Sequence, residues 1–289
     1  MQVENDTLFG RLYNNFDWMV RFTYCRVPLL RDILRKMMFK KLYSSDIRQL
    51  DDAYEKMAAL IKKAKCNIKG KTVLELGPGN SYALAFNFLL SGTERTILVD
   101  KYPRRFDTDH QKKFLKKEMK FFKDKYGTSL KGIITKDGKV KNEKIESIKA
   151  SAERMKTVRS RSIDIIVSVS VLEHVKDLKK AFKEMQRVLK PGGLMVHKID
   201  LRDHYNFNRP LLFLKYSKKT WENWLTREGY SYTNRFRADD IEEMARGMGF
   251  EVAKIKRNRV GNPIDLKRIH PDFFGKDLDT IDLTIVLTK

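Results

Sequence analysis

From residue 70 onward, short apolar runs alternate with stretches whose apolar residues recur every three or four positions. This is the pattern of a parallel sheet whose strands are joined by crossover helices. Seven runs read as strands: Thr72–Leu76, 96–99, Ile145–Lys149, Ile163–Val169, 194–199, 250–256 and 281–288. The clearest helix spans 178–190, with Ala181, Phe182, Met185, Val188 and Leu189 on one face, and Pro191-Gly192-Gly193 reads as the turn that ends it. A second spans 239–247, with Met244, Ala245 and Met248 on its apolar side and Gly249 just past its end. The expected architecture is α/β: a seven-stranded, mostly parallel Rossmann-like sheet with helices on both faces.

Three regions depart from this rhythm. Residues 1–69 read as helix throughout and predict an amino-terminal helical cap ahead of a domain covering 70–289. Within the cap, Pro28 opens a helix over 28–43 whose Leu30, Ile33, Leu34, Met37, Met38 and Leu42 form one stripe, opposite Arg31, Arg35, Lys36, Lys40 and Lys41. Residues 101–144 form a basic insertion, in which Leu115, Met119, Phe122 and Tyr126 keep helical spacing over 109–126 among Lys112, Lys113, Lys116, Lys117, Lys120 and Lys123. Residues 203–238 form an aromatic insertion that reads as a lid over an acceptor.

Composition narrows the class. With 60 Lys+Arg against 37 Asp+Glu the formal charge is +23, while 42% hydrophobic residues supply a real core. Such a charge favours an anionic partner but says little about fold. Two cysteines, Cys25 and Cys66, are too few for a disulfide framework or a four-ligand zinc site. Residues 1–8 include Glu4 and Asp6 and show no apolar signal core, and no apolar run approaches a membrane span of about 20 residues. The expected setting is cytoplasmic; the stretches 28–43 and 109–126 either attach peripherally to an anionic inner membrane face or pack their apolar stripes onto the sheet as a lid, with the lysines as solvated faces, and the second reading is preferred for most of the lysines.

The chemistry concentrates where the first strand runs into Glu75-Leu76-Gly77-Pro78-Gly79-Asn80. Glycines there let backbone amides approach a ligand, and the following helix start adds N–H donors. A nicotinamide fingerprint needs a third glycine where Tyr82 stands, so dinucleotide binding loses ground. Asp100 follows the second strand, 21 residues beyond Gly79, where a carboxylate can accept both hydroxyls of a ribose.

These residues resemble the class I S-adenosylmethionine-dependent methyltransferases, and further motifs agree in order. The run from Ser151 to Met155 resembles the segment lining the adenine, Ser162 to Ser168 with Val171 to Val175 resembles the fourth strand and its turn, and Leu189 to Leu194 resembles the loop entering the fifth. The likeness implies a donor site made by Glu75, Gly77, Pro78, Gly79, Asn80, Asp100, Lys101, Ser151, Ala152, Glu153, Val169, Ser170 and His174. One departure is Ser151, where many relatives place Asp; a hydroxyl accepts the adenine amino group more weakly. Asp164 reads as a local cap or pair, outside the site.

In open parallel sheets the ligand lies beyond the carboxyl ends of the strands. Residues 197–205 occupy the end of the fifth strand and the segment beyond it, and an imidazole with a neighbouring carboxylate can take an acceptor's proton. His204 is the first choice as base, then Asp200, then His197. The competing structural reading makes His197 a core histidine and Asp203 a helix cap. Tyr205, Asn234 and Arg235 are the candidate acceptor contacts, and no distinctive metal-ligand spacing is present. By resemblance the activity is methyl transfer from S-adenosylmethionine, with S-adenosylhomocysteine as product. The long insertion and the aromatic segment look most like enzymes of bacterial cell-surface polysaccharide or glycolipid assembly. They imply O-methylation of an anionic glycan, glycolipid or small molecule. The alternatives are RNA or protein as acceptor, using the basic surface, and a non-catalytic scaffold that retains the donor fold. Nucleic acid is disfavoured because no recognised binding module accompanies the dispersed lysines.

Overall fold

The computed structural model describes residues 8–27, 47–79, 81–103, 109–127, 143–204, 209–226, 232–260 and 268–289. The helix expected over 28–43 and the candidates Asn80 and Tyr205 lie outside them. The elements are α1 (Leu8–Arg26), α2 (Ile47–Lys63), β1 (Thr72–Leu76), α3 (Ala83–Leu90), β2 (Arg95–Asp100), α4 (Asp109–Tyr126), β3 (Ile145–Lys149), β4 (Ile163–Val169), α5 (Leu178–Val188), β5 (Leu189–Asp200), α6 (Ala238–Gly247), β6 (Glu251–Arg259) and β7 (Thr280–Thr288).

The seven strands form one sheet in the order β3-β2-β1-β4-β5-β7-β6. The β1, β2, β3, β4 and β5 pairings are parallel, and β7 runs antiparallel to both its neighbours. The switch point falls between β1 and β4, which share a register from Val73↔Ile165 to Leu76↔Ser168. The central strands are nearly continuous apolar text because both faces are covered. On one face Leu74, Leu76, Ile166 and Met195 pack with Phe182, Met185, Ile241 and Ala245 of α5 and α6. On the other, Val73, Ile165, Val167 and Val196 pack with Tyr54, Met57 and Ile61 of α2 and with Leu84 and Phe88 of α3.

Helix α2 is therefore part of the sheet's own packing, although it lies in the stretch read as an amino-terminal cap. In α4, Leu115 and Phe122 are buried with Met119 against Phe86, Leu98 and Ile145. Of the two readings open for 109–126, the structure shows packing: Leu115, Met119 and Phe122 meet the core, while the lysines, Asp109, Asp124 and Tyr126 are exposed. The Pro191-Gly192-Gly193 turn is corrected. Helix α5 stops at Val188, Leu189 already pairs with Ile163 of β4, and the register slips before Leu194 pairs with Ile165. Strand β5 starts early because Gly192 and Lys289 bond its first half to the end of β7.

The aromatic insertion carries a small core of its own: Leu211, Phe213, Leu214, Trp221 and Leu225 pack with Ile269 and Phe273, and Phe22 of α1 joins them. A buried ion network fastens α1 to it. Arg21 pairs with Asp17 at 2.8 Å and with Asp203, and Tyr216 donates to Asp17 at 2.7 Å. Asp203 thus anchors α1.

Candidate donor and acceptor sites

The donor half forms at the carboxyl ends of β1 and β2. Gly77 has φ +66°, and a Cβ there would lie 2.6 Å from Val171 Cγ2, so the turn needs glycine on both counts. Gly79 has φ +60° and open space where a side chain would stand, leaving its backbone accessible to a ligand. Asp100 fixes this turn: it accepts the Gly79 N–H at 3.2 Å through Oδ2 and the Tyr102 N–H at 2.6 Å through Oδ1. Ser81 and the Tyr82 N–H both donate to buried Glu118 of α4, which holds the start of α3 in place.

Glu75 is 4% exposed, and its Oε2 has no hydrogen-bond partner. Burial, with Asp100 and Glu118 nearby, pushes its carboxyl up to about 8. Lys71, four residues before Glu75, pairs instead with Asp164 at 3.4 Å, and Asp164 also accepts the Thr72 N–H at 3.0 Å and Lys190 at 2.7 Å. A buried acid with an orphan oxygen beside a glycine cradle fits a cationic amino group or its water, as S-adenosylmethionine presents. Beyond Asp100, a groove of about 530 Å³ is lined by Lys101, Ser151, Glu153, Leu178 and Phe236 among others. It offers Ser151 and a half-open apolar wall at the edge assigned to the adenine. Ala152 lies in the same turn, closed by the Arg154 N–H to Ser151 O bond. Val169 is half-buried, and Ser170 adopts φ +53° with its N–H on Lys198 O, which turns the chain sharply off β4.

The acceptor half forms at the ends of β4 and β5. Asp200 is held bidentately by Arg202, at 2.8 and 2.7 Å, which keeps its carboxyl below the usual range despite burial. His204 Nε2 lies 3.7 Å from Asp200 Oδ2, and the His204 ring meets His174 edge-on with centroids 4.9 Å apart. His174 Nδ1 donates to Tyr232 O at 2.6 Å, so its neutral ring carries the Nε2 lone pair. Burial lowers both imidazoles, His204 to about 4, which leaves them uncharged at neutral pH. His174, a donor-site candidate by resemblance, therefore sits beside His204 and Asp200.

Glu173 belongs to the same cluster, although its sequence context assigned it no role. It is 3% exposed, its Oε1 accepts the Asp200 N–H at 3.4 Å and its Oε2 has no partner. Burial and the nearby Asp200 hold its carboxyl well above the usual range. Its signal in the sequence was an acid directly after the apolar pair Val171-Leu172, where a strand end should be dry. Glu173, His174 and His204 each offer a ligand atom within 4.8 Å of the others, so a divalent cation could use them.

Three candidates prove to have other work. His197 is fully buried between β4 and β7, with Nδ1 2.8 Å from Ser168 Oγ, and burial drives its basicity down to about 3. It is a core histidine that no acceptor reaches. Asn234 Nδ2 donates to Leu172 O at 2.7 Å and Val175 O at 3.0 Å, its N–H donates to Glu173 O, and its Oδ1 accepts the Phe236 N–H at 3.1 Å. It clamps the turn that presents Glu173 and His174. Arg235 is 5% exposed; its Nη1 donates to Tyr216 O and Phe213 O, and its guanidinium stacks 5.0 Å from the rings of both Trp221 and Phe273. Asn234 thus supports the turn after β4, and Arg235 packs within the lid, with its Nε lacking a hydrogen-bond partner.

A seven-stranded sheet with one reversed strand, a glycine turn tied to an acid after β2 and a polar cluster beyond β4 and β5 define a class I S-adenosylmethionine-dependent methyltransferase. The chain belongs to the methyltransferase-domain family, whose model matches residues 45–255. It is similar to Thiol S-methyltransferase TMT1B of Rattus norvegicus, at 25% identity over 223 residues, covering 75% of this chain and 80% of that protein. Its fold is similar to the crystal structure of an S-adenosylmethionine-dependent methyltransferase from Mesorhizobium loti, with TM-score 0.50, 15% identity, and 83% and 100% of the two chains covered. A Galdieria sulphuraria protein named for sarcosine dimethylglycine methyl transfer gives TM-score 0.52 at 16% identity, with 82% and 85% covered.

Proposed function

We propose that the enzyme methylates the sulfur of a small-molecule thiol. The observation that carries this is the pair of uncharged imidazoles, His174 and His204, at the mouth of the sheet with Asp200 behind His204. When bound, S-adenosylmethionine supplies an electrophilic sulfonium methyl; the chain has to hold the acceptor in line, exclude water and take its proton. A base whose conjugate acid sits at about 4 is weak. A thiol, with an ordinary pKa of about 8.5, demands far less of such a base than a hydroxyl close to water's ~15.7. The thiol-acting relative supports the same choice.

In this scheme Glu75, Gly77, Gly79 and Asp100 hold the donor, with Ser151 and Lys101 along the adenosine edge. The acceptor proton passes to His204 as the new carbon–sulfur bond forms and the sulfonium bond breaks, and Asp200 steadies the imidazolium that results. Glu173 and His174 shape the pocket's polar wall. The glycan or glycolipid acceptor expected from the sequence loses its described polar anchors, because Asn234 and Arg235 face protein backbone.

The test pairs thiols with their hydroxyl counterparts, aliphatic and aromatic, and follows S-adenosylhomocysteine release. Thiols should turn over at least about a hundredfold faster than the matched alcohols, the size of a general-base contribution. Faster methylation of a hydroxyl, of RNA or of a protein would overturn the assignment.

A further inference from the structure

Helix α1 buries one face and leaves the other bare. Asp17, Arg21, Tyr24 and Cys25 point inward, while Trp18 is 56% exposed and Met19 is 45% exposed. Phe22, one turn after Trp18, stacks on Trp224 of the lid at 6.2 Å, and Trp224 is itself 54% exposed. Two tryptophans and a methionine on one corner are an unusual outlay for a surface that meets only water, since indole rings with an apolar body and a polar edge favour an interface.

The rim of this corner is cationic. Arg26 lies two turns after Trp18 and reaches Asn223 O, next to Trp224, and Lys218 and Lys219 are exposed at the start of the segment leading to Trp224. Of the carboxylates nearby, Asp17 is neutralised by Arg21 and Lys215, while Glu222 and Asp272, which accept the Tyr232 hydroxyl and the Lys218 N–H at 3.1 Å, keep their charge but are outnumbered by the cations of the rim. The patch therefore presents apolar rings rimmed by positive charge, on a chain of net charge +23.

We propose that Trp18, Met19 and Trp224, with Arg26, Lys218 and Lys219 around them, form a docking surface for an anionic lipid bilayer. The rings enter the boundary between headgroups and acyl chains, and the cations meet acidic headgroups. On its buried face the same helix reaches the acceptor cluster, where Arg21 pairs with Asp203, the residue before His204. The surface differs from both stretches singled out in the sequence.

The full chain would be sedimented with phosphatidylcholine vesicles, with and without phosphatidylserine, and its tryptophan emission followed with brominated lipid. Binding should require phosphatidylserine and weaken as salt rises. The Trp18→Ser/Met19→Ser/Trp224→Ser variant should bind at least about tenfold less, with donor affinity unchanged, because buried apolar area sets most of such binding. Brominated lipid should quench the wild type and leave this variant untouched, since the Trp221 it retains is fully buried. Should the triple variant fold poorly, Trp18→Ser/Met19→Ser alone should lose most of the binding. Equal binding by wild type and variants, no binding to anionic vesicles, or a wild-type dimer that the variant converts to monomer would each overturn the proposal; the last would give the patch to a second copy of the chain.

Discussion

The Asp100 carboxylate accepts the Gly79 N–H at 3.2 Å, tying the end of β2 to the turn after β1 across the donor site. The same acid is placed to receive a ribose. Asp100→Ala should therefore weaken both S-adenosylmethionine and S-adenosylhomocysteine about 10- to 100-fold, the worth of one or two charge-assisted hydrogen bonds. Calorimetric titration checks this, and an unchanged affinity would remove Asp100 from the site.

Gly77→Ala adds a methyl 2.6 Å from Val171 Cγ2 at φ +66°. Clash and backbone strain together should cost about 2–4 kcal/mol of stability and most donor affinity. Adding Val171→Ala relieves the clash but not the strain, so the double variant should recover only part of the loss. Full recovery would show that φ at Gly77 costs nothing.

Glu75 titrates in the folded protein at about 8, against an ordinary 4.5. Because the native state binds this proton more tightly than the unfolded chain, its contribution to stability is complete below pH 4.5 and is lost as pH rises to about 8. Glu75→Gln should remove that loss, so the variant's Tm should gain on the wild type between about pH 5 and 9 while its donor affinity falls. Thermal melts across that range test the sign, and a Tm difference that stays constant with pH would refute it.

The two histidines on either side of Asp200 in sequence should behave oppositely. His204→Ala should lower kcat about 10²- to 10⁴-fold and leave donor affinity intact. His197→Ala should cost about 1–3 kcal/mol of stability through a lost buried hydrogen bond and a cavity, with kcat close to wild type. Dialysis against a chelator should leave turnover unchanged. Loss of turnover on chelation would turn Glu173, His174 and His204 into metal ligands.

Asn234 bonds three backbone groups of the turn after β4, at Leu172, Glu173 and Val175. Asn234→Ala should destabilise the enzyme by about 1–3 kcal/mol and lower kcat, because Glu173 and His174 lose their support. An effect on acceptor KM alone, at full stability, would restore Asn234 as an acceptor contact.

The sequence by itself determined the sheet and the donor end. Strand text, the glycine turn and Asp100 all act locally: alternation, a positive φ and an acid at a strand end leave their mark in consecutive residues. The seven strands and most of the helices expected over 109–126, 178–190 and 239–247 were legible for that reason, whereas Asp164, read as a local cap or pair, finds its partners Lys71 and Lys190 far along the chain.

Only the tertiary structure decided what the long-range partners do. Whether the stripe of α4 meets lipid or core depends on Phe86 and Ile145, which lie well outside the helix on either side. His197 and His204 look alike in sequence, but one faces Ser168 in a dry sheet and the other faces His174 and Asp200 at its edge. Asn234 and Arg235 have the composition of a binding pair, and backbone carbonyls from Leu172 to Tyr216 claim their donors. A side chain's chemistry is written in its own letter, whereas its burial and partners are set by residues far away in the chain, and these separate a base from a packed imidazole.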